Sequence, residues 1–581
     1  MAASQGALFA LLGWARYATF HNETFDLAFY TRIAWGLVRG DFWEPMVNAH
    51  VYGLHLSPML VPLGALGWLT DTRMVLIAAQ AAAFALAAFP LARIGARHFG
   101  SMGAILAAVT WLFYPNLGHV AGYEMHPGSM AVLPLGYIAL AIDSGDRRAF
   151  WLGAIGVLLC REDLALVVFG ASVVFAFQHR EHLRLAGLTA GLTVAYALFF
   201  FLYLHPAHAP EAGSLQLHFG RFGGSLGEVV LYLLSHPGEL LAHLSTPERL
   251  GYLPKVLAPL ALLPLLRPKW FLPIAPLLAI NLISEWPTTT DLDVHYLTPA
   301  LPFLVAGAID GAGRLATHRA IVLPTLAAAT LIGHVIAGGT PLALDFDAEV
   351  FSPDQRTVGA ERITAAVPAD ASVQAPYAFL PHFAERRRLI RASSPESNAA
   401  YYVLDAQHRR AYAGREDLIR TFEEPPVRDW MARDDHRLVI AEGDYLLLQR
   451  GFHPRDGIGG RAVVGRTDPE GGQALCACLA VLDARLEEEE LILHFAARSS
   501  CPSDLAIRMG TEDRPPRVDL LFAGWLSPVH LRRGDLVVSR HRLGASLRSS
   551  ITTDGLRVGA IRQSGARPAH ADPNSVPVSL E

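Results

Sequence analysis

Residues 149–177 read AFWLGAIGVLLC, then Arg161-Glu162-Asp163, then LALVVFGASVVFAF. As one continuous helix, this stretch would hold three adjacent ionisable groups at the centre of a bilayer, at a cost of several kcal/mol. As two short helices turning at the triplet, it keeps those charges at the boundary. The choice orients everything downstream. Basic residues in short connections mark the cytoplasmic side. Here they form five clusters, Arg93/Arg97, Arg147/Arg148, Arg180/Arg184, Arg267/Lys269 and Arg314/Arg319. The hairpin sets all five on one side, whereas a single span would move the last three across. The sequence therefore predicts the hairpin.

Working outward, charge is distributed unevenly along the 581 residues. Residues 1–340 carry 18 Lys+Arg and 19 Asp+Glu, about 11% of positions; the remaining 241 carry 30 and 34, about 27%. Soluble domains average roughly 25% charge, so only the C-terminal part has an ordinary soluble composition. Met74–Ala92, Phe99–Tyr123, Met125–Ile142 and Ala320–Leu344 contain no Asp, Glu, Lys or Arg. Apolar runs near 20 residues read as transmembrane helices, which excludes a soluble enzyme. A net charge of −5 with no basic domain excludes a nucleic-acid partner. Two lysines against 46 arginines reflect genome composition. Gly6–Tyr17 lacks a cleavage site and reads as a retained first helix.

The expected fold is an α-helical polytopic membrane protein of about eleven spans, with C-terminal extracytoplasmic α/β and β-sandwich regions. The spans fall near 5–20, 72–92, 101–116, 127–142, 149–160, 164–178, 184–204, 251–266, 270–285, 296–312 and 319–339. Several are shorter than a bilayer is thick, which suits helices packed around a cavity. The N-terminus lies inside and the C-terminal domain outside the cytoplasmic membrane. Long outer connections cover about 20–71 and 205–250, and the amphipathic run Leu226–Leu244 is a candidate membrane-surface helix. The expected domains are 1–340 in the membrane, 341–455 as an α/β unit, 456–562 as a β-sandwich and 563–581 as a disordered tail. In the α/β unit, strands at Ser372–Ala375, Tyr401–Leu404, Leu438–Ala441 and Tyr445–Leu448 alternate with helical runs such as Phe379–Arg388. In the sandwich, Leu475–Leu482, Leu491–Ala497, Val518–Leu521 and Asp535–Ser539 alternate as strands. Cys476 and Cys478 read as alternate positions on a strand. Either can pair with Cys501 outside the cell, or all can stay buried thiols.

On this topology the ionisable residues of the membrane part gather on the outer face, and ionisable groups at membrane margins are functional candidates. Asp26 follows the first span within Thr24-Phe25-Asp26-Leu27. A partly desolvated carboxylate there is a stronger general base than a wet one; the alternative is a helix-capping Asp. Glu124 and His126, two apart, can share a metal or bind a substrate, or His126 can cap the following span. Arg161 can hold a phosphate bidentately or merely neutralise Glu162 and Asp163. His50, His55, His126 and His295 come from three separate segments on that face.

Thr24-Phe25-Asp26-Leu27, His55-Leu56-Ser57-Pro58, Glu124-Met125-His126-Pro127, Arg161-Glu162-Asp163 and His295-Tyr296 with Pro299 recur in one order. Over roughly residues 20–450 this set resembles a domain-of-unknown-function family of polytopic membrane proteins of bacteria and archaea. That family is itself similar to the GT-C glycosyltransferases, which use polyprenyl-phosphate-linked sugars. Two departures stand out. Thr31-Arg32 replaces an expected acid followed by Gln, and Glu124-x-His126 replaces an expected Asp-x-His. The resemblance implies sugar transfer from a polyprenyl-phosphate donor at the outer face, in the lipid bilayer, to a glycan, lipid or protein acceptor. It implies Asp26 as the catalytic acid of the first loop. Glu124, His126, Arg161, Glu162, His55 and His295 are then substrate-binding candidates. Some GT-C enzymes bind a divalent metal and others do not, so a metal is open. Two rivals remain: a transporter or flippase of lipid-linked glycans, and a non-catalytic membrane-anchored assembly protein.

Overall fold

Phe150 and Phe175 stack with ring centroids 4.1 Å apart. In one straight helix, 25 residues of rise would hold them roughly 38 Å apart, so the chain must reverse between them. It does so at the triplet. Helix Arg147–Cys160 ends at Arg161, a 3-10 turn covers Glu162–Leu164, and helix Ala165–Gln178 returns. The entrance is equally explicit. Gly145 stops the preceding helix Val132–Ser144 at φ 81, a left-handed conformation that suits glycine. Asp146 then caps the next helix, accepting the Arg148 and Ala149 N–H groups.

In this computed structural model the described residues are 1–209, 214–394, 397–405, 436–442, 445–450, 463–487, 490–501, 505–511, 517–520, 531, 533–542, 545–562 and 576–580. They form two units, Met1–Ser352 and Pro353–Glu581. The first runs past the expected boundary at 340 because its last turn packs back on the first helix. Thr19 Oγ1 donates to the Val350 carbonyl at 2.7 Å, and Gly122 lies open to the Phe351 ring.

The first unit is helical, with helices at most of the expected places. The expected span 251–266 is instead helix Pro247–Leu257 followed by 3-10 turns around Ala261 and Leu262 at positive φ, and within 270–285 only Ala275–Ile283 is α-helical. Among the described residues, three stretches are long and apolar enough to cross a membrane by length and composition: Thr72–Leu112, Arg180–His208 and Ala316–Ala337. Thr72–Leu112 is two helices broken at Phe99 and Gly100, the latter at φ 63. The halves fold back closely enough that a Cβ on Gly95 would meet the Gly103 carbonyl oxygen at 2.1 Å. A side chain at either glycine would force the halves apart. The turn Arg267–Lys269 is fastened to helix Leu301–Arg314 through buried Asp310, which takes Arg267 at 2.9 Å, Lys269 at 3.0 Å and the Trp270 indole N–H at 2.9 Å. The amphipathic run divides into helices Leu226–Ser235 and Pro237–Leu244, with Val230, Leu231, Leu234 and Leu241 exposed.

In the second unit, a mixed five-stranded sheet runs in the order Leu389–Arg391, Val373–Ala375, Tyr401–Asp405, Tyr445–Arg450, His436–Glu442. Its first three strands are parallel and the rest antiparallel. Helix Gln355–Ala366, with an Asp354/Thr357 capping box, accompanies it. Two antiparallel sheets follow. One has five strands (Val463–Arg466, Asp535–Arg542, Glu490–Ala497, Leu479–Glu487, Gln473–Ala474), the other four (Arg517–Leu520, Leu505–Gly510, Leu556–Arg562, Val576–Val578). Leu491, Leu493 and Phe495 from the first and Ile507, Met509 and Val558 from the second share one core, the every-other-residue burial of a sandwich.

Three local expectations are corrected. The run 379–388 is a 3-10 helix Tyr377–Phe383 leading to strand Leu389–Arg391, since Pro381 limits a regular helix. Leu475–Leu482 is not one strand. Leu475 and Cys476 N–H both turn back to the Leu479 carbonyl, so both cysteines sit in a turn. Within the expected disordered tail, Val576–Val578 pairs with Leu556–Val558 as an edge strand; residues 563–575 lie outside the described residues.

Candidate active site

Every candidate residue lies in a connection between apolar helices, and two of these connections meet at Glu124. Its Oε2 accepts the Leu27 N–H at 2.8 Å; its Oε1 accepts the Asn22 side-chain amide at 3.0 Å and the Thr24 N–H at 3.4 Å. Glu124 therefore satisfies the open N-terminus of helix Asp26–Leu37 from a point 97 residues away along the chain. The capping alternative for Asp26 does not hold. Phe25 is the N-cap residue and makes no side-chain cap bond, and the Asp26 N–H donates to Thr24 Oγ1 at 3.5 Å. His126 likewise makes no side-chain cap bond to Pro127–Met130.

Released from capping, Asp26 faces the site. Its Oδ2 accepts the Thr24 hydroxyl at 3.1 Å, and its Oδ1 lies 4.0 Å from His126 Nε2. The side chain is 24% exposed, enough to meet a ligand. The helix that carries it is tightly seated. A Cβ on Gly64 would strike the Ala34 carbonyl oxygen at 2.2 Å, so only glycine lets helix Leu60–Leu66 pack this closely. Arg32, one of the departures from the family pattern, is buried and pairs with Asp41 at 2.5 Å, fixing the end of the same helix.

The His126 ring stacks on His295 with centroids 3.5 Å apart and meets Tyr30 edge-on at 4.9 Å. Gln80 orients this strand of chain. Its Oε1 accepts the His126 N–H at 2.8 Å, and its amide donates to the Val120 and Glu124 carbonyls, each at 3.1 Å. Composition had not singled out Gln80, although the signal was there: it is the lone polar residue in the charge-free run Met74–Ala92.

The hairpin tip closes the other side. Glu162 Oε1 bonds His55 Nδ1 at 2.8 Å, and its Oε2 accepts the Leu56 N–H at 2.9 Å. The Met59 N–H adds a bond to the Leu159 carbonyl at 3.0 Å. Arg161 pairs with Asp163 through Nε at 3.2 Å rather than with Glu162, and its side chain is 18% exposed. His50 is not among this group; it stacks on His208 with centroids 4.0 Å apart.

Electrostatics follow from burial. Burial pushes the Asp26 carboxyl up to about 6, opposed by the Thr24 hydrogen bond and the nearby Arg161 charge. Burial, reinforced by Asp26, pushes Glu124 up to about 8. Burial thus raises both carboxyls, Glu124 further than Asp26. Burial holds His126 and His295 well below the usual imidazole range, in the neutral form. Burial works against Glu162, but His55 and Arg161 hold it below the usual carboxylate range.

The site therefore joins Asp26, His126, His295 and Arg161 around one locus, with Glu124, Glu162 and His55 bonded into the walls. Asp26, His126 and His295 each offer one ligand atom, all within 4.8 Å of one another. His126 Nδ1 is buried without a hydrogen-bond partner. One carboxylate oxygen and two neutral imidazoles form a donor set suited to zinc or a similar divalent ion.

The model of a family described as "Predicted membrane protein (DUF2079)" matches residues 16–417. No curated protein matches the chain. Among solved structures, the chain is similar to ArnT from Cupriavidus metallidurans bound to undecaprenyl phosphate, at 13% identity and a TM-score of 0.38, over 76% of this chain and 97% of that one. It is also similar to the Archaeoglobus fulgidus oligosaccharyltransferase. The apo form gives 12% identity and a TM-score of 0.34 over 73% of this chain and 72% of that one. The complex with Zn and sulfate gives 10% and 0.37 over 96% and 94%.

Proposed function

The chain belongs to the DUF2079 family of predicted membrane proteins, and from that premise we propose that it is a glycosyltransferase using a polyprenyl-phosphate-linked sugar at the outer face of the cytoplasmic membrane. One observation carries this reading: the Asp26 carboxylate, 24% exposed, lies 4.0 Å from His126, whose ring stacks on His295, and the Arg161 side chain, 18% exposed, packs by Gly128, two residues on from His126. A base and an anion-holding fork, side by side at the rim of a membrane protein, are what transfer from a lipid phosphate needs.

In the proposed reaction the acceptor hydroxyl oxygen bonds to the sugar's anomeric carbon while the bond from that carbon to the phosphate oxygen breaks. Asp26 takes the hydroxyl proton, and Arg161 holds the departing polyprenyl phosphate. His126 and His295 line the sugar. Glu124, Glu162 and His55 act by positioning, since their bonds hold the three connections in register. A second reading is favoured by the three-ligand set: a divalent ion held by Asp26, His126 and His295 would supply positive charge opposite the phosphate. Transfer assayed with a purified polyprenyl-phosphate sugar tests the proposal, and no transfer to any glycan, lipid or protein acceptor would leave the transport and assembly rivals.

The proposed arrangement has about eleven crossings, with all five basic clusters inside and the C-terminal unit outside. The disulfide Cys478–Cys501 supports an outer, oxidising compartment for that unit. A reporter fused at the C-terminus and active only outside the cytoplasm is expected to be active; one active only inside would overturn the orientation. The hairpin tip gives a second test. On a background without other cysteines, Asp163→Cys should react with a membrane-impermeant maleimide in intact cells, while Leu183→Cys should not. The reverse pattern would place the tip inside.

A further inference from the structure

The three cysteines of the second unit form a cluster that the transferase reading does not use. Cys478 and Cys501 are joined by a disulfide, and the Cys476 sulfur lies 3.3 Å from the Cys478 sulfur. All three sulfurs lie within 4.8 Å of one another. Backbone hydrogen bonds hold them there. The Leu475 and Cys476 N–H groups both donate to the Leu479 carbonyl, at 3.0 and 3.2 Å, folding Cys476 over Cys478. The Arg498 N–H donates to the Cys478 carbonyl at 2.8 Å and brings in the segment that carries Cys501. Exposure is asymmetric: Cys478 and Cys501 are buried, while Cys476 is a partly exposed free thiol.

We propose that Cys476, Cys478 and Cys501 are a thiol–disulfide exchange centre, with Cys476 as the entry point for an external thiol or disulfide. The Cys476 thiolate attacks the Cys478 sulfur. The Cys476–Cys478 bond forms, the Cys478–Cys501 bond breaks, and Cys501 leaves as a thiolate that takes up a proton. No net oxidation occurs, so no oxidant is required. The bond exchanged is structural. Cys478 leads into strand Leu479–Glu487 of the five-stranded sheet, and Cys501 precedes strand Leu505–Gly510 of the four-stranded sheet. Exchange therefore trades a link between the start of strand Leu479–Glu487 and the connection that follows its neighbour Glu490–Ala497 for a local link within one turn. Once the Cys476–Cys478 bond has formed, an external thiolate can attack the exposed Cys476 sulfur, forming a mixed disulfide there and releasing Cys478 as a thiolate, so the bond that closed a separation of 23 residues is given up. This inference is independent of the transferase reading, because it concerns only the second unit.

The test uses the full chain purified in detergent without reductant, treated natively with N-ethylmaleimide and mapped by peptide mass spectrometry. The expected result is two populations. One has Cys476 alkylated and Cys478–Cys501 linked; the other has Cys501 alkylated and Cys476–Cys478 linked. In Cys476→Ser, labelling of Cys501 should vanish. In Cys501→Ser, a Cys476–Cys478 link should form in its place. Wild-type protein that yields only the Cys478–Cys501 link would overturn the proposal whether or not the variants fold. So would Cys501 labelling that persists undiminished in Cys476→Ser.

Discussion

Asp26→Asn should lower the rate of sugar transfer by about 10²- to 10⁴-fold, the usual worth of a positioned general base, with little change in thermal stability. The stability half of this expectation comes from the helix terminus. A capping Asp would be interchangeable with Asn and would show no loss of rate, but Asp26 makes no cap bond. The N–H of Leu27 is satisfied by Glu124 and would remain so in the variant. Asn also keeps an oxygen to accept the Thr24 hydroxyl, so the local fold has no reason to open. What Asn lacks is the ability to take a proton or to give a metal a charged oxygen. Those two roles separate on metal removal. If Asp26 is the base alone, wild-type activity survives dialysis against EDTA. If the Asp26–His126–His295 set holds an ion, activity is lost and returns with zinc or manganese. Full activity in Asp26→Asn would sink both roles.

The parts of this molecule legible in sequence are those where burial of charge has a large penalty. Arg161-Glu162-Asp163 inside an apolar run admits few solutions, and the Phe150–Phe175 stack agrees with the hairpin. The same logic applied to Arg93 and Arg97 separated a span near 72–92 from one near 101–116, and the chain breaks between them at Phe99 and Gly100. Strand alternation at Leu491–Ala497 was readable because both sheets bury every second residue against a common core.

Long-range pairing was not readable. Nothing near Glu124 announces that its carboxylate ends a helix beginning at Asp26, because a cap supplied from another connection leaves no local pattern. Composition also could not show that Glu162 binds His55 and the Leu56 amide instead of Arg161. That exchange of partners matters, since it leaves the guanidinium paired with Asp163 and its side chain 18% exposed. The cysteine turn failed for a related reason. Alternation of Cys476 and Cys478 mimics a strand, while two N–H groups sharing the Leu479 carbonyl make a turn.

Arg161→Lys carries the second large expectation: kcat/KM for the polyprenyl-phosphate donor should fall by about 10- to 100-fold, while the protein stays folded. Lysine keeps the positive charge opposite Asp163 and Asp26, so no buried carboxylate loses its counter-charge. Removing that charge outright, as in Arg161→Ala, takes the partner from Asp163, and a loss of activity there would not distinguish misfolding from lost binding. What lysine removes is the planar fork that meets two phosphate oxygens at once. One charge-assisted hydrogen bond is worth about 1.5–3 kcal/mol, which corresponds to that fall in kcat/KM. The site geometry leaves room for this role. Gly128 lies under the Arg161 side chain, where an added Cβ would approach Cδ at 3.4 Å, so the stem is supported while its head stays partly exposed. A structural arginine predicts the opposite pattern, with melting temperature lowered and donor kcat/KM preserved in the folded fraction. Should Arg161→Lys show that pattern, the phosphate must be held elsewhere, and Arg161 would be left with the role of holding Asp163 at the hairpin tip.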